Sequence, residues 1–178
     1  MPSVVLRMME STTDVDATVS QDALADLYVR TVGQSEALAR GLCSDPHLAQ
    51  DIAHEAFIRA AARLPFLRDP ASFDAYLRRT VVNLCRTQAR RRATEHKSYQ
   101  RVNLDVKASD GATADDRDEL WVALQRRPYR QRAAVVLRFY EDLSEAQSAH
   151  VLRCSERAVN ALVSRAMATL RGNLEEGR

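Results

Sequence analysis

Aromatic side chains make up only 6% of this sequence, and glycine and proline number five each. So few turn-formers argue against an all-β sandwich or barrel, and abundant Ala, Arg and Leu favour an all-α chain. Cysteine is sparse and odd in number: Cys43, Cys85 and Cys154 stand in helical or turn contexts. That pattern fits reduced, partly buried thiols better than a disulfide framework. No apolar run approaches the length that spans a bilayer, and the N-terminus lacks a secretory pattern. A cytoplasmic protein with no membrane partner is expected. Charge of one sign is also missing, since the net charge is +2. Affinity for nucleic acid must therefore come from local clustering. Ser and His are scattered without a triad-like context, so no catalysis and no cofactor are expected. There is no internal repeat.

What is present concentrates between Leu143 and Ala166. Ser144 followed by Gln147 reads as a capping box, each side chain satisfying an orphan N–H at a helix start. Ala146, Ala149 and Val151 then place small apolar groups on one face, with Ala149 suited to a close helix crossing. Leu152-Arg153-Cys154 supplies a turn, Ser155 is the next N-cap, and Glu156 complements the helix dipole. The second helix is expected to bury Ala158, Val159, Leu162, Ala166 and Leu170. Its opposite face carries Arg157, Asn160, Ala161, Ser164 and Arg165. This is a helix-turn-helix pattern, whose second helix can enter a major groove. Arg there bonds guanine, Asn bonds adenine, and Ser serves base or phosphate. Arg153 occupies a turn position that usually holds Gly for its positive φ, at a cost of about 1 kcal/mol.

The rest of the chain divides into an arm (1–19), a first helical domain (20–95), a polar linker (96–114) and a second helical domain (115–178). Helices are predicted over Gln21 to Leu42 and, after the Asp45-Pro46 start signal, to about Leu64. The first buries Leu24, Leu27, Tyr28, Leu38 and Leu42. The second buries Leu48, Ile52, Ala56 and Ala60, with Phe57 and Leu64 alongside. Asp69-Pro70 repeats the signal for a third helix running into Arg90-Arg91-Arg92. A further helix near Pro128 carries Ala133, Val136, Leu137 and Tyr140, and Gly172 is a stop. Because the chain ends soon after Leu170, no fused regulatory domain is expected.

The third helix holds six arginines without an acid between Arg78 and Arg92: Arg78, Arg79, Arg86, Arg90, Arg91 and Arg92. Positive charge tracks phosphates, and aromatic rings such as Phe73 and Tyr76 can stack an unpaired base, worth about 1–3 kcal/mol. Both rings also fit a core role, which leaves their assignment open between the two.

The order of these pieces resembles a bacterial RNA polymerase sigma factor of the extracytoplasmic-function (ECF) group, most like the actinobacterial sigma-E type. Asp45-Pro46 through Asp51-Ile52-Ala53-His54-Glu55-Ala56-Phe57 is similar to the signature of the family's second region. Phe73-Asp74-Ala75-Tyr76-Leu77-Arg78-Arg79 with Val82-Asn83-Leu84 resembles its melting segment, and Tyr140 through Ala146 resembles the opening of the fourth region. The resemblance implies two helical domains (regions 2 and 4) joined by a flexible linker, and a partner in core RNA polymerase through its beta-prime clamp and beta flap. Promoter DNA is the second partner, and an anti-sigma factor a further one. It implies that Asp51, Glu55, Ile58 and Arg59 meet the polymerase. Phe73, Tyr76, Arg78, Arg79, Asn83, Arg86 and Arg90 would engage and open the −10 element. Arg157, Asn160, Ala161, Ser164 and Arg165 would read the −35 element. Asp105, Asp110, Asp115 and Asp116 would line the RNA exit path. The sequence departs from the family at Ser148, Arg153, Ala158 and Asn160, which argues for an unusual −35 sequence.

Two other readings compete. A stand-alone helix-turn-helix regulator would bind DNA without polymerase. A metalloprotein would use His47, Asp51 and His54 on one face with Cys43 a turn earlier, although such spacing also arises by chance.

Overall fold

The computed structural model describes residues 21–43, 45–67, 70–100 and 116–176. Among them every regular element is helical. α1 (Gln21–Leu42), α2 (Pro46–Ala61) and α3 (Pro70–Gln100) pack on one another as a first bundle, with a 3-10 turn at Leu64–Phe66 between the last two. α4 (Asp116–Gln125), α5 (Tyr129–Val135), α6 (Glu145–Leu152) and α7 (Glu156–Glu176) form the second, centred on α7.

The start signal of α2 works as the sequence indicates. The Asp45 carboxylate accepts from the N–H groups of His47 (3.0 Å) and Leu48 (3.2 Å), and Pro46 fills a position needing no N–H. The helix stops at Ala61 rather than Leu64. α3 extends to Gln100, into residues assigned above to the linker, and the proposed cap at Asp69 lies outside the described residues.

The first core gathers Leu38, Leu42, Ile52, Phe57, Leu77 and Val81 around Phe73, which is 1% exposed. Phe57 meets Phe73 edge-on at 6.0 Å and Tyr28 at 4.9 Å. Burial of a ring this completely stabilises by about 1.5–3 kcal/mol. Phe73 is therefore a core residue, and its assignment to an unpaired base is corrected here. The second core draws on Ala133, Val136, Leu137, Val159, Ala166 and Leu170.

Between α5 and α6 the helical ladder changes pitch. Val136–Tyr140 is a π turn, closed by the Glu141 N–H on the Val136 carbonyl at 3.0 Å. One extra residue in the ladder shifts the phase of the chain beyond it. Phe139 and Tyr140 point outward, at 64% and 57% exposure. Tyr140, which shares the helical spacing of Ala133, Val136 and Leu137, lies at the end of the π turn and does not join them in the core.

The two bundles touch. A Cβ on Gly41 would stand 3.1 Å from Val136 Cγ1 and 3.3 Å from Trp121 Cη2, so glycine is what lets α1 approach the second bundle this closely. Gln125 Nε2 donates to the Gly41 carbonyl at 3.3 Å, and the Tyr129 hydroxyl donates to the Val82 carbonyl at 2.6 Å. Arg78 Nε donates to Glu141 Oε2 at 3.0 Å, with side chains 21% and 2% exposed.

Candidate nucleic-acid and polymerase interfaces

Three surfaces arise from this scaffold. On α2, Asp51, Glu55, Ile58 and Arg59 are all exposed while Ile52, Ala56, Phe57 and Ala60 face inward. Spacing of four, three and one residues puts the exposed set on one stripe. Arg59 pairs with Glu55 at 2.7 Å, more than half of each side chain remaining in water, and Ile58 is 64% exposed. An apolar side chain flanked by carboxylates is the chemistry of a protein contact. Val29 and Phe66, 76% and 75% exposed, are further apolar surface residues that periodicity did not single out. The alternative use of this stripe as a metal site finds no geometry. His54 instead lies against Tyr28, with ring nitrogens 3.1 and 3.2 Å from the hydroxyl, and no three potential ligands converge among the described residues.

The second surface is the arginine face of α3. Arg86, Arg90, Arg91 and Arg92 are exposed, Tyr76, Arg79 and Asn83 are half-buried, and Arg79 lies 5.9 Å from the Tyr76 ring centre. Tyr76 thus keeps a usable ring that Phe73 does not. Arg78 is spent on Glu141 of the second bundle. Arg92 reaches Asp45 at 3.4 Å. Arg153, from the turn between α6 and α7, lines a hollow of about 220 Å³ together with Tyr76, Arg79 and Asn83. It also lines one of about 500 Å³ with Arg86, Arg90 and Arg132. The second bundle therefore lies across the face expected to meet a DNA strand.

The third surface is α7. The capping box is complete: the Gln147 N–H donates to Ser144 Oγ at 3.1 Å, and the Ser144 N–H to Gln147 Oε1 at 2.8 Å. Arg153 has φ 52° and ψ 56°, so the left-handed turn persists without glycine. The Cys154 N–H reaches the Ala149 carbonyl at 3.0 Å and the Arg153 N–H the His150 carbonyl at 3.4 Å, which recovers carbonyls at the end of α6. Ser155 Oγ accepts from the Ala158 N–H at 3.2 Å. Val159, Ala166 and Leu170 are buried, whereas Ala158 and Leu162 are only half-buried. Arg157, Asn160, Ser164 and Arg165 are exposed, with Ala161 half-buried between them.

Two details of this motif were not legible in the sequence. Asn160 Nδ2 donates to Glu145 Oε2 at 2.8 Å, so bidentate pairing with adenine would require that bond to break. Ser148 is fully buried and its hydroxyl has no partner among the described residues, while Ala146, expected inside, is exposed. Of the face expected inside, Ala149 and Val151 are buried and Ala146 is not. Asp105, Asp110 and Asp115 lie outside the described residues, and Asp116 opens α4.

Sequence and fold comparisons bear on the family and the fold of the chain. The family described as Sigma-70 region 2 matches residues 27–95, and that described as Sigma-70, region 4 matches residues 117–170. The chain is 35% identical over 152 residues to an RNA polymerase sigma-E factor of Streptomyces avermitilis, covering 83% of each chain. It is 36% identical over 152 residues to the RNA polymerase sigma-E factor of Streptomyces coelicolor, covering 83% of this chain and 84% of the relative. In fold it is similar to the sigma factor RpoE, solved in complex with the anti-sigma factor NepR from Bartonella quintana. There the TM-score is 0.69 at 22% identity, over 89% of this chain and 100% of the other.

Proposed function

Because the chain belongs to the extracytoplasmic-function group of bacterial RNA polymerase sigma factors, we propose that it joins core RNA polymerase and directs it to promoters, each bundle having a separate task. The first bundle, assigned to residues 20–95, holds the beta-prime clamp through Asp51, Glu55, Ile58 and Arg59. It also grips the −10 strand through Tyr76, Arg79, Asn83, Arg86 and Arg90. The second, assigned to residues 115–178, reads the −35 duplex through Arg157, Asn160, Ala161, Ser164 and Arg165 and meets the beta flap. Residues 96–114 connect them. Neither bundle catalyses a reaction: binding and positioning are the whole task, carried out in the cytoplasm beside the polymerase. No helix among the described residues is long and apolar enough to cross a membrane.

The observation that carries this reading is α7, where Arg157, Asn160, Ser164 and Arg165 are exposed and Val159, Ala166 and Leu170 are buried. That is the presentation a groove-reading helix needs. Family membership sets aside the stand-alone regulator. Engagement of the −10 element requires the bundles to separate, because Arg78 is paired with Glu141 and Arg153 overhangs the arginine face. An anti-sigma factor would act by opposing that rearrangement on polymerase. The test is transcription by core polymerase plus this protein from a randomised promoter library, with start sites sequenced. A shared −10 and −35 pattern is expected. Failure to join core polymerase in a DNA-free pull-down, with no start-site selection, overturns the reading.

A further inference from the structure

Five arginines line one hollow of about 500 Å³ where the bundles meet, and no carboxylate lines it with them among the described residues. Arg86 and Arg90 come from α3, Arg130 and Arg132 from α5, and Arg153 from the turn before α7. Nearby arginines are compensated: Arg78 pairs with Glu141, Arg92 with Asp45 and Arg59 with Glu55. None of the five forms an ion pair among the described residues. Guanidiniums gathered without a counter-charge repel one another, and no side chain of the hollow relieves that cost to the closed arrangement.

Two of the five are held in place against their own preference. Arg132 is buried to 9% exposure, donates through Nη1 to the Gln125 carbonyl at 2.7 Å, and lies 5.7 Å from the Tyr129 ring centre. The Tyr129 hydroxyl is itself committed to the Val82 carbonyl at 2.6 Å. The guanidinium is thus fixed, yet its Nε has no hydrogen-bond partner among the described residues. A cation buried this deeply is costly unless an anion faces it, and the hollow is the space in which one would sit. Arg153 stands at φ 52°, where glycine would serve the turn without strain. Strain kept at a residue that lines a cavity points to a binding role.

We propose that this hollow binds a small polyphosphate anion, of three or more linked phosphate groups, which bridges the two bundles and holds them closed. Arginine presents its N–H groups as a planar fork matched to phosphate oxygens, so the lining selects phosphate. One phosphate group cannot engage forks arriving from both bundles at once, whereas a linked chain can. The volume lies within the range of small-molecule sites, about 300–1,000 Å³. Free polyphosphate chains and nucleoside polyphosphates share this chemistry and differ in whether a base rests on the apolar wall of Ala89, Ala93 and Leu152. The hollow is complete only while the bundles touch, so by linkage its occupancy favours the closed arrangement. One consequence rests on the sigma-factor reading: a bound anion keeps Arg86 and Arg90 from the −10 strand.

The experiment titrates the full chain by calorimetry at fixed ionic strength, with inorganic tripolyphosphate, adenosine triphosphate, orthophosphate and a DNA tetranucleotide of matched phosphate count. One tripolyphosphate per chain is expected, bound at least about tenfold more tightly than orthophosphate. Tighter binding of adenosine triphosphate assigns the site to nucleoside polyphosphates, and equal or weaker binding assigns it to the free chain. Arg90→Gln in the first bundle, and Arg130→Gln and Arg153→Gly in the second, should each weaken binding about tenfold, as for one charge-assisted hydrogen bond lost. Arg153→Gly also suits the left-handed turn, so its loss of binding is not a loss of fold. Arg171→Gln, which removes an exposed arginine elsewhere on α7, should leave binding unchanged. With dyes at Gln50 and Thr169, saturating tripolyphosphate should raise the urea concentration at which the bundles part. Absence of binding, several equivalents bound, or equal weakening by Arg171→Gln each overturns the proposal. So does weakening by variants of one bundle only, tighter binding of the tetranucleotide, or an unmoved urea midpoint. Promoter selection enters none of these readouts, so failure here leaves the sigma-factor reading standing.

Discussion

Removing the carboxylate of Glu141 should drive the two bundles apart. Its side chain is 2% exposed and bonds Arg78 at 3.0 Å, while Arg78 keeps 21% exposure. Loss of one partner from a fully buried pair costs about 3–5 kcal/mol, because the other charge stays desolvated. Arg78 is not fully buried, and a few tenths of its surface can rehydrate. The penalty for Glu141→Ala is accordingly set at about 1–3 kcal/mol against the closed arrangement, a population shift of roughly 5- to 150-fold. The assay is single-molecule fluorescence transfer between dyes at Gln50 on α2 and Thr169 on α7, both exposed, attached without cysteine chemistry. The open population should grow in Glu141→Ala, while circular dichroism shows each bundle still folded. Wild-type closure should respond weakly to salt, since a largely buried pair is poorly screened. A transfer distribution that superimposes on wild type would refute the reasoning. So would a double-mutant cycle of Arg78→Met with Glu141→Ala that shows no coupling.

Ser148→Ala should stabilise the protein by about 1 kcal/mol, seen as a higher midpoint in urea, because it removes a buried hydroxyl that lacks a partner. Arg165→Ala should weaken holoenzyme binding to a promoter by about 1–3 kcal/mol in a filter-binding assay; unchanged affinity would remove Arg165 from the reading face. Phe73→Ala should cost about 3–5 kcal/mol of unfolding free energy, as for a ring deleted from a packed core. Asp45 supplies the pH prediction. The Leu48 N–H foremost, then the His47 N–H and Arg92, hold its carboxyl below the ordinary value. Its contribution is fully present above the usual carboxylate range and is lost as pH falls through the lowered value. Asp45→Asn keeps the cap but should flatten the acid limb of thermal stability as pH falls through and below the ordinary carboxylate range.

Local chemistry was legible where it is written locally. Asp45-Pro46, Ser144 with Gln147, and Ser155 each start a helix where the residues say one starts. The outer face of α7 comes from helical spacing, and the exposed stripe of α2 from the resemblance to the family. What the sequence hid depends on contacts between distant segments. Phe73 and Tyr76 read alike, and only the approach of Phe57 separates a core ring from a surface ring. Arg78 and Arg79 are adjacent, yet the first is claimed by Glu141 from sixty-three residues away. The π turn adds one residue to a ladder whose sequence shows no interruption, so the outward turn of Tyr140 was not visible. Ala146 lies outside for a comparable reason: a helix of eight residues offers too few apolar positions to fix from pattern alone which of them face inward.

That π turn also sets the aim of everything downstream of it. At 3.6 residues per turn, excising one residue from Val136–Tyr140 would restore ordinary pitch and swing the rest of the chain by about 100° around the helix axis. Glu141 would no longer point at Arg78, and α7 would face a different quarter of the molecule. The segment behaves as a keyed coupling, in which length rather than side-chain identity carries the information. Substitutions at Phe139 or Tyr140 are consequently cheap in orientation, whereas an insertion or deletion of one residue there is not.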